Sequence, residues 1–294
     1  MKIIAIALTV MLLLGMLSGC TAQPQAQICA TTLPVYQFTT RLCRGTGISV
    51  TRLITEPVSC LHDYSLSVQQ VKAVESAELV VTSGAGLESF LNDVLCQAEN
   101  TVDSSHGIHL LGCESESQHD NPHHSDHSHD VDNHIWLSPL NAKIMAANIC
   151  EGLCKHFPGF TDTFQRNLQA LNDELDALYA YGIEQLTDLR CREMITFHDG
   201  FSYLADCFNL TIIEAIEEES GSEASAQELI HLINLVQEHR LPAVFTEING
   251  SASAARIICA ETGITSYPLD MAMGGDDYFA AMKHNIDTIK EALG

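Results

Sequence analysis

From residue 27 onward, short apolar runs rich in β-branched residues alternate with polar or glycine turns, followed by stretches whose apolar residues recur every three or four positions. The runs at 28–32, 48–54, 79–82 and 108–111 have strand character, and the stretches near 36–43, 68–77 and 87–96 have helical periodicity. A second set predicts strands at 193–197, 211–215, 243–247 and 264–269, with helices near 225–239, 253–262 and 278–292. Strands alternating with helices imply parallel sheets covered by helices, so the pattern predicts an α/β fold with two lobes.

Between the two sets, Phe164, Leu168, Leu171, Leu175, Leu178, Ile183, Leu186 and Leu189 recur mainly at three- and four-residue steps. One amphipathic helix over 160–190 follows, roughly 45 Å long at 1.5 Å per residue. Asp162 with Gln165 offers an N-terminal cap, and Pro158-Gly159 closes the segment before it. The polar face lacks the regular opposite charges of a coiled-coil seam, so the helix reads as a connecting strut. The expected organisation is an N-terminal lobe over 28–157, a connecting helix over 158–190 and a C-terminal lobe over 191–294. About 270 residues allow two modest domains, each with its own core.

The first twenty residues follow a different pattern. Lys2 precedes an apolar stretch from Ile3 to Leu17 that ends in Leu17-Ser18-Gly19-Cys20. This has the form of a secretory signal peptide over 1–19, and its end resembles a bacterial lipobox in which Cys20 becomes the lipidated first residue. Residues 20–27 then form a tether, and the expected location is extracytoplasmic, lipid-anchored to the cell membrane. No later stretch approaches the ~20 continuous apolar residues of a membrane span.

Charge narrows the partners. The chain carries 38 Asp and Glu against 14 Lys and Arg, a formal net charge of −24, which repels nucleic acid and favours small cations near the surface. Of eleven cysteines, ten follow Cys20, but their spacings show no small-domain framework. Several, such as Cys191 and Cys259, sit in apolar runs, and most are expected to be buried thiols. Residues 114–132 carry five histidines, His119, His123, His124, His127 and His129, among Ser, Asp and Asn. No core can be built from such a segment, so a mobile loop that makes weak, auxiliary metal contacts is expected.

Sharper signals lie in Leu61-His62-Asp63-Tyr64-Ser65-Leu66, Asn133-His134-Ile135-Trp136-Leu137-Ser138-Pro139 and Thr196-Phe197-His198-Asp199-Gly200-Phe201-Ser202-Tyr203-Leu204. With Gly84-Ala85-Gly86-Leu87-Glu88 and Val244-Phe245-Thr246-Glu247, these segments resemble, in order, the zinc- and manganese-type ABC-transporter solute-binding proteins of cluster A-I. The resemblance covers nearly the whole mature chain. It implies a metal site in the interlobe cleft, with His62 and His134 from the first lobe and His198 from the second, each where a strand gives way to a loop or helix. Such positions suit ligand binding in α/β proteins.

Asp270 matches the position where that family often supplies a carboxylate, although water could fill the fourth tetrahedral position. Cys60 is a weaker alternative, and Glu247 is placed to orient a ligand rather than bind metal. The chain departs from the family pattern at Ser138, often Asp, at Gly200, often Ala, and at Leu61, a common Pro or Glu. In the manganese branch a Glu generally stands in place of His198, so the histidine implies Zn²⁺ rather than Mn²⁺. The resemblance implies a non-enzymatic, monomeric component that passes zinc to an ABC permease. A surface zinc hydrolase and an adhesin carrying structural zinc are the competing classes; no His-Glu-x-x-His pair supports the former.

Overall fold

The computed structural model describes residues 27–56, 61, 64–95, 100–112, 131–216 and 224–294. The described N-terminal lobe contains a four-stranded parallel sheet of β1 (Ile28–Ala30), β2 (Val50–Arg52), β3 (Leu79–Thr82) and β4 (Thr101–Asp103), in the order β2-β1-β3-β4. Its helices are α1 (Leu33–Leu42), α2 (Val68–Ser76), the short α3 (Asn92–Leu95) and α4 (Pro139–His156). The second sheet joins β5 (Glu193–Thr196), β6 (Thr211–Ala215), β7 (Ala243–Glu247) and β8 (Thr265–Leu269), again all parallel, in the order β6-β5-β7-β8. The central strands β1, β3 and β7 are buried throughout, as a sheet covered on both faces requires.

The connecting helix α5 runs over Thr161–Leu186, entered through a 3₁₀ turn at Pro158–Phe160. Its N-cap is Phe160, without a side-chain cap, and Asp162 lies inside the first turn. The expected Asp162 cap is therefore corrected: the turn opened by Pro158, whose carbonyl accepts from the Thr161 hydroxyl at 3.0 Å, starts the helix earlier. Asp162 still sits where a carboxylate suits the positive end of the helix dipole. At the other end the helix stops short of residue 190. The Arg192 guanidinium donates to the Leu186 and Thr187 carbonyls at 2.8 Å, satisfying acceptors that the helix leaves open.

Two further expectations change. The fourth strand is Thr101–Asp103, not 108–111, because Ile108 closes a turn onto Ser105 and Leu111 donates its N–H to the Tyr203 hydroxyl at 3.0 Å. This edge strand has one apolar residue, Val102, which lies against Gly152 of α4, so its sequence pattern is weak. Nor do the lobes have wholly separate cores. One buried cluster runs from β1 and α1 through α4 and Phe164, Leu171, Leu175 and Leu178 of α5 to Met194, Phe245 and α9 (Tyr278–Leu293). A smaller cluster fills only the face of the second sheet under α7 (Ala226–His239) and α8 (Ser253–Thr262).

The seven described cysteines, at 29, 43, 150, 154, 191, 207 and 259, are free thiols. Burial pushes Cys29 and Cys43 up to about 12, leaving them inert small hydrophobes. Among the described residues, no helix is long and apolar enough to cross a membrane.

Candidate metal centre

The carboxyl ends of both sheets point toward the junction of the lobes. In the N-terminal lobe these ends are tied together by Glu88. Its buried carboxylate accepts from the Thr31 hydroxyl at 2.6 Å and from the Ser83 and Gly84 N–H groups at 2.7 and 3.0 Å. Gly84 has φ +86°, and a Cβ there would stand 1.8 Å from the Asp103 carboxylate, so only glycine fits this turn. Burial, the dominant cause, pushes the Glu88 carboxyl up to about 7 against its three hydrogen bonds.

His134 ends the segment that follows the histidine-rich residues. It precedes a 3₁₀ turn at Ile135–Leu137, after which Ser138 caps α4 by accepting the Asn141 N–H, with Pro139 in the first helical turn. His198 follows β5, just ahead of α6 (Ser202–Cys207). The two imidazoles meet edge to face, with centroids 5.2 Å apart and their Nε2 atoms 3.5 Å apart.

Each ring is held from behind. The Asp132 carboxylate, 1% exposed, lies 2.9 Å from His134 Nδ1 and also accepts the His134 N–H at 2.8 Å. Glu247, at the end of β7, places Oε2 3.6 Å from His198 Nδ1. A carboxylate hydrogen-bonded at Nδ1, as Asp132 is, holds the tautomer that directs the Nε2 lone pair forward. Two nitrogens bound tetrahedrally to Zn²⁺ at about 2.0–2.1 Å stand about 3.3–3.4 Å apart, close to the separation of this pair. The arrangement is suited to capturing a cation.

The lobes are stitched around this pair. The indole N–H of Trp136 donates to the Met271 carbonyl at 2.7 Å, the Tyr278 hydroxyl donates to the Trp136 carbonyl at 2.7 Å, and the Tyr203 hydroxyl donates to the Asp132 carbonyl at 2.9 Å. Arg52 reaches the Gly275 carbonyl at 2.6 Å.

Asp270 follows β8 as expected, and Asn285 of α9 pairs with both its N–H and its carbonyl at 2.7 Å. Its carboxylate accepts the Ala272 N–H at 2.8 Å. Among the described residues, no three His, Cys, Asp or Glu side chains form a complete metal cage. His62 and Cys60, the loop histidines His119, His123, His124, His127 and His129, and Cys20 all lie outside the described residues. Sequence reasoning missed Asp132, counting it with the loop. The Asp-x-His spacing of Asp132 and His134 was the available signal.

A family model described as the periplasmic component A of a zinc-uptake complex, ZnuA, matches residues 28–292. The zinc-binding lipoprotein AdcA of Streptococcus pneumoniae is 28% identical over 296 residues, which cover 94% of this chain and 58% of AdcA. The chain thus spans little more than half the length of that relative. A candidate metal-binding protein of Treponema pallidum is 28% identical over 262 residues, covering 86% of this chain and 83% of that protein. A crystal structure of ZnuA superposes with a TM-score of 0.76 at 30% identity, covering 91% of this chain and 99% of ZnuA. A laminin-binding adhesin of Streptococcus agalactiae, at 22% identity and a TM-score of 0.77, shares the fold.

Proposed function

Because the chain belongs to the ZnuA family of zinc-uptake components, we propose that it captures Zn²⁺ between its lobes outside the cytoplasm and delivers it to the membrane permease of an ABC importer. His134 and His198 are two ligands, His62 is the third, and Asp270 or water completes the tetrahedron. The observation that carries the reading is the pair of Nε2 atoms at 3.5 Å, each ring backed by a buried carboxylate. Ligands from two lobes suit a clamp that closes on cargo, and no chemical step is required. Mn²⁺ is disfavoured by a site so rich in imidazole nitrogen.

The finer features belong to the same reading. Cys20 carries the lipid anchor, the protein works as a monomer, and His119, His123, His124, His127 and His129 collect zinc weakly. The adhesin alternative is less favoured, since the adhesin comparison carries fold alone.

Native mass spectrometry after incubation with equimolar Zn²⁺, Mn²⁺, Co²⁺ and Ni²⁺ tests this assignment. One tightly held zinc is expected, lost on substitution of His62, His134 or His198 by Ala. Retention of that zinc in any two of the three variants would refute the ligand set.

A further inference from the structure

Gly200 lies two residues after His198, and its φ is outside the left-handed range, so the backbone does not require glycine there. Space does. A Cβ at Gly200 would stand 2.7 Å from His198 Cδ2, 2.9 Å from His134 Cε1 and 2.7 Å from Met271 Cε. Both ring carbons are bonded to Nε2. The methyl end of Met271 and the two ring carbons bonded to Nε2 therefore line the same small space beside Gly200, the room that the missing Cβ leaves free.

Met271 is held in that place. It is 2% exposed, its carbonyl accepts the Trp136 indole N–H, and Asp270 before it is locked to Asn285. Trp136 is fully buried and meets the His134 ring edge to face at 5.4 Å. One side of the imidazole pair is thus walled by a thioether methyl and an indole, neither of which water can use as a partner.

We infer that Met271, seated over Gly200, determines metal specificity by closing this side of the site to water and holding the bound ion at low coordination number. The inference rests on the proposed ligand role of His134 and His198. Zn²⁺ is satisfied by four ligands, whereas Mn²⁺ favours six, largely oxygen, and would have to recruit waters. A dry wall withholds those waters. It costs zinc little and manganese much. This adds to the preference for zinc that the nitrogen donors already supply.

The test uses Co²⁺ as a reporter, because tetrahedral Co²⁺, lacking a centre of symmetry, absorbs visible light far more strongly than six-coordinate Co²⁺. Wild-type protein should give the strong spectrum. Met271→Ala should admit water, weaken the absorption several-fold and lower the zinc-to-manganese affinity ratio by about tenfold. Met271→Leu, which keeps a buried apolar side chain of similar volume there, should retain both; circular dichroism checks that each variant folds.

An unchanged spectrum and ratio in Met271→Ala would overturn the inference. So would a Met271→Leu variant as weak as Met271→Ala, since the effect would then not be one of filled space. His134→Ala and His198→Ala are measured alongside. If neither alters the Co²⁺ spectrum, the site assignment itself has failed and the inference falls with it; if both do while Met271→Ala does not, only the wall is refuted.

Discussion

The Nε2 atoms of His134 and His198 stand 3.5 Å apart although the residues belong to different lobes and are separated by 64 positions. Each imidazole has one nitrogen facing the other ring and one facing a carboxylate. That polarity makes the pair more than a chance contact of two buried histidines, and it sets the expectations below.

The two carboxylates should matter unequally. Asp132 approaches His134 Nδ1 at 2.9 Å and also receives its main-chain N–H, whereas Glu247 stands 3.6 Å from His198 Nδ1. Asp132→Asn should weaken zinc binding by about tenfold or more, and Glu247→Gln by less, as groups behind metal ligands generally do. Competition with a chelator of known affinity measures both. No loss in either variant would mean that the carboxylates do not tune the rings, and equal losses would overturn the ranking.

The place of Asp132 changes how the histidine-rich segment must be trimmed. Deleting residues 114–130 should remove weak, multiple zinc equivalents and spare one tight site. A deletion extended through 132 should damage the tight site as well, because it removes the carboxylate that holds His134. Isothermal titration of the two deletions side by side is the measurement. Identical tight binding in both would contradict the role given to Asp132.

His198→Glu should shrink the preference for zinc without reversing it. A carboxylate is a harder donor and can bind through two oxygens, which suits Mn²⁺, but zinc remains above manganese in the Irving–Williams order. The new carboxylate would also face Glu247 across the position now held by the imidazole, and that repulsion should cost overall affinity. Both constants, measured at one pH in wild type and variant, give the ratio. A ratio that stays constant or rises removes His198 from the determinants of metal choice.

Glu88 predicts a pH dependence of stability. Its carboxyl moves from an ordinary value of 4.5 in the unfolded chain to about 7 in the folded one, chiefly through burial. Between these values the folded state holds more protons, so the contribution of Glu88 is most favourable below pH 4.5, declines as pH rises to about 7 and is constant above it. Glu88→Gln, which cannot ionise, should lack this slope. The stability of wild type relative to the variant should therefore drop by roughly 1–3 kcal/mol across that window in urea unfolding. Parallel curves for the two proteins would show that the carboxyl is not shifted.

Much of this protein is written in local pattern. The alternation of strands and helices, the long apolar stripe from Phe164 to Leu186 and the placement of His198 just beyond β5 are all legible along the chain, because each depends on residues within a few positions of one another; His134, by contrast, follows no strand and stands ahead of a 3₁₀ turn. Local pattern fails where a partner distant in sequence decides. The run 108–111 looks more strand-like than Thr101–Asp103, yet Tyr203 takes up Leu111 while Val102 finds its place against Gly152. Two separate cores looked sufficient, but the inner face of α5 packs on both lobes and merges them. Asp132 reads as the last residue of a polar loop, and only the fold buries it behind His134. Met271 reads as one more apolar residue after a strand. That it closes over Gly200 beside two imidazoles follows from how the lobes meet, since contacts between lobes depend on the shapes of both surfaces and leave no periodic trace in either segment.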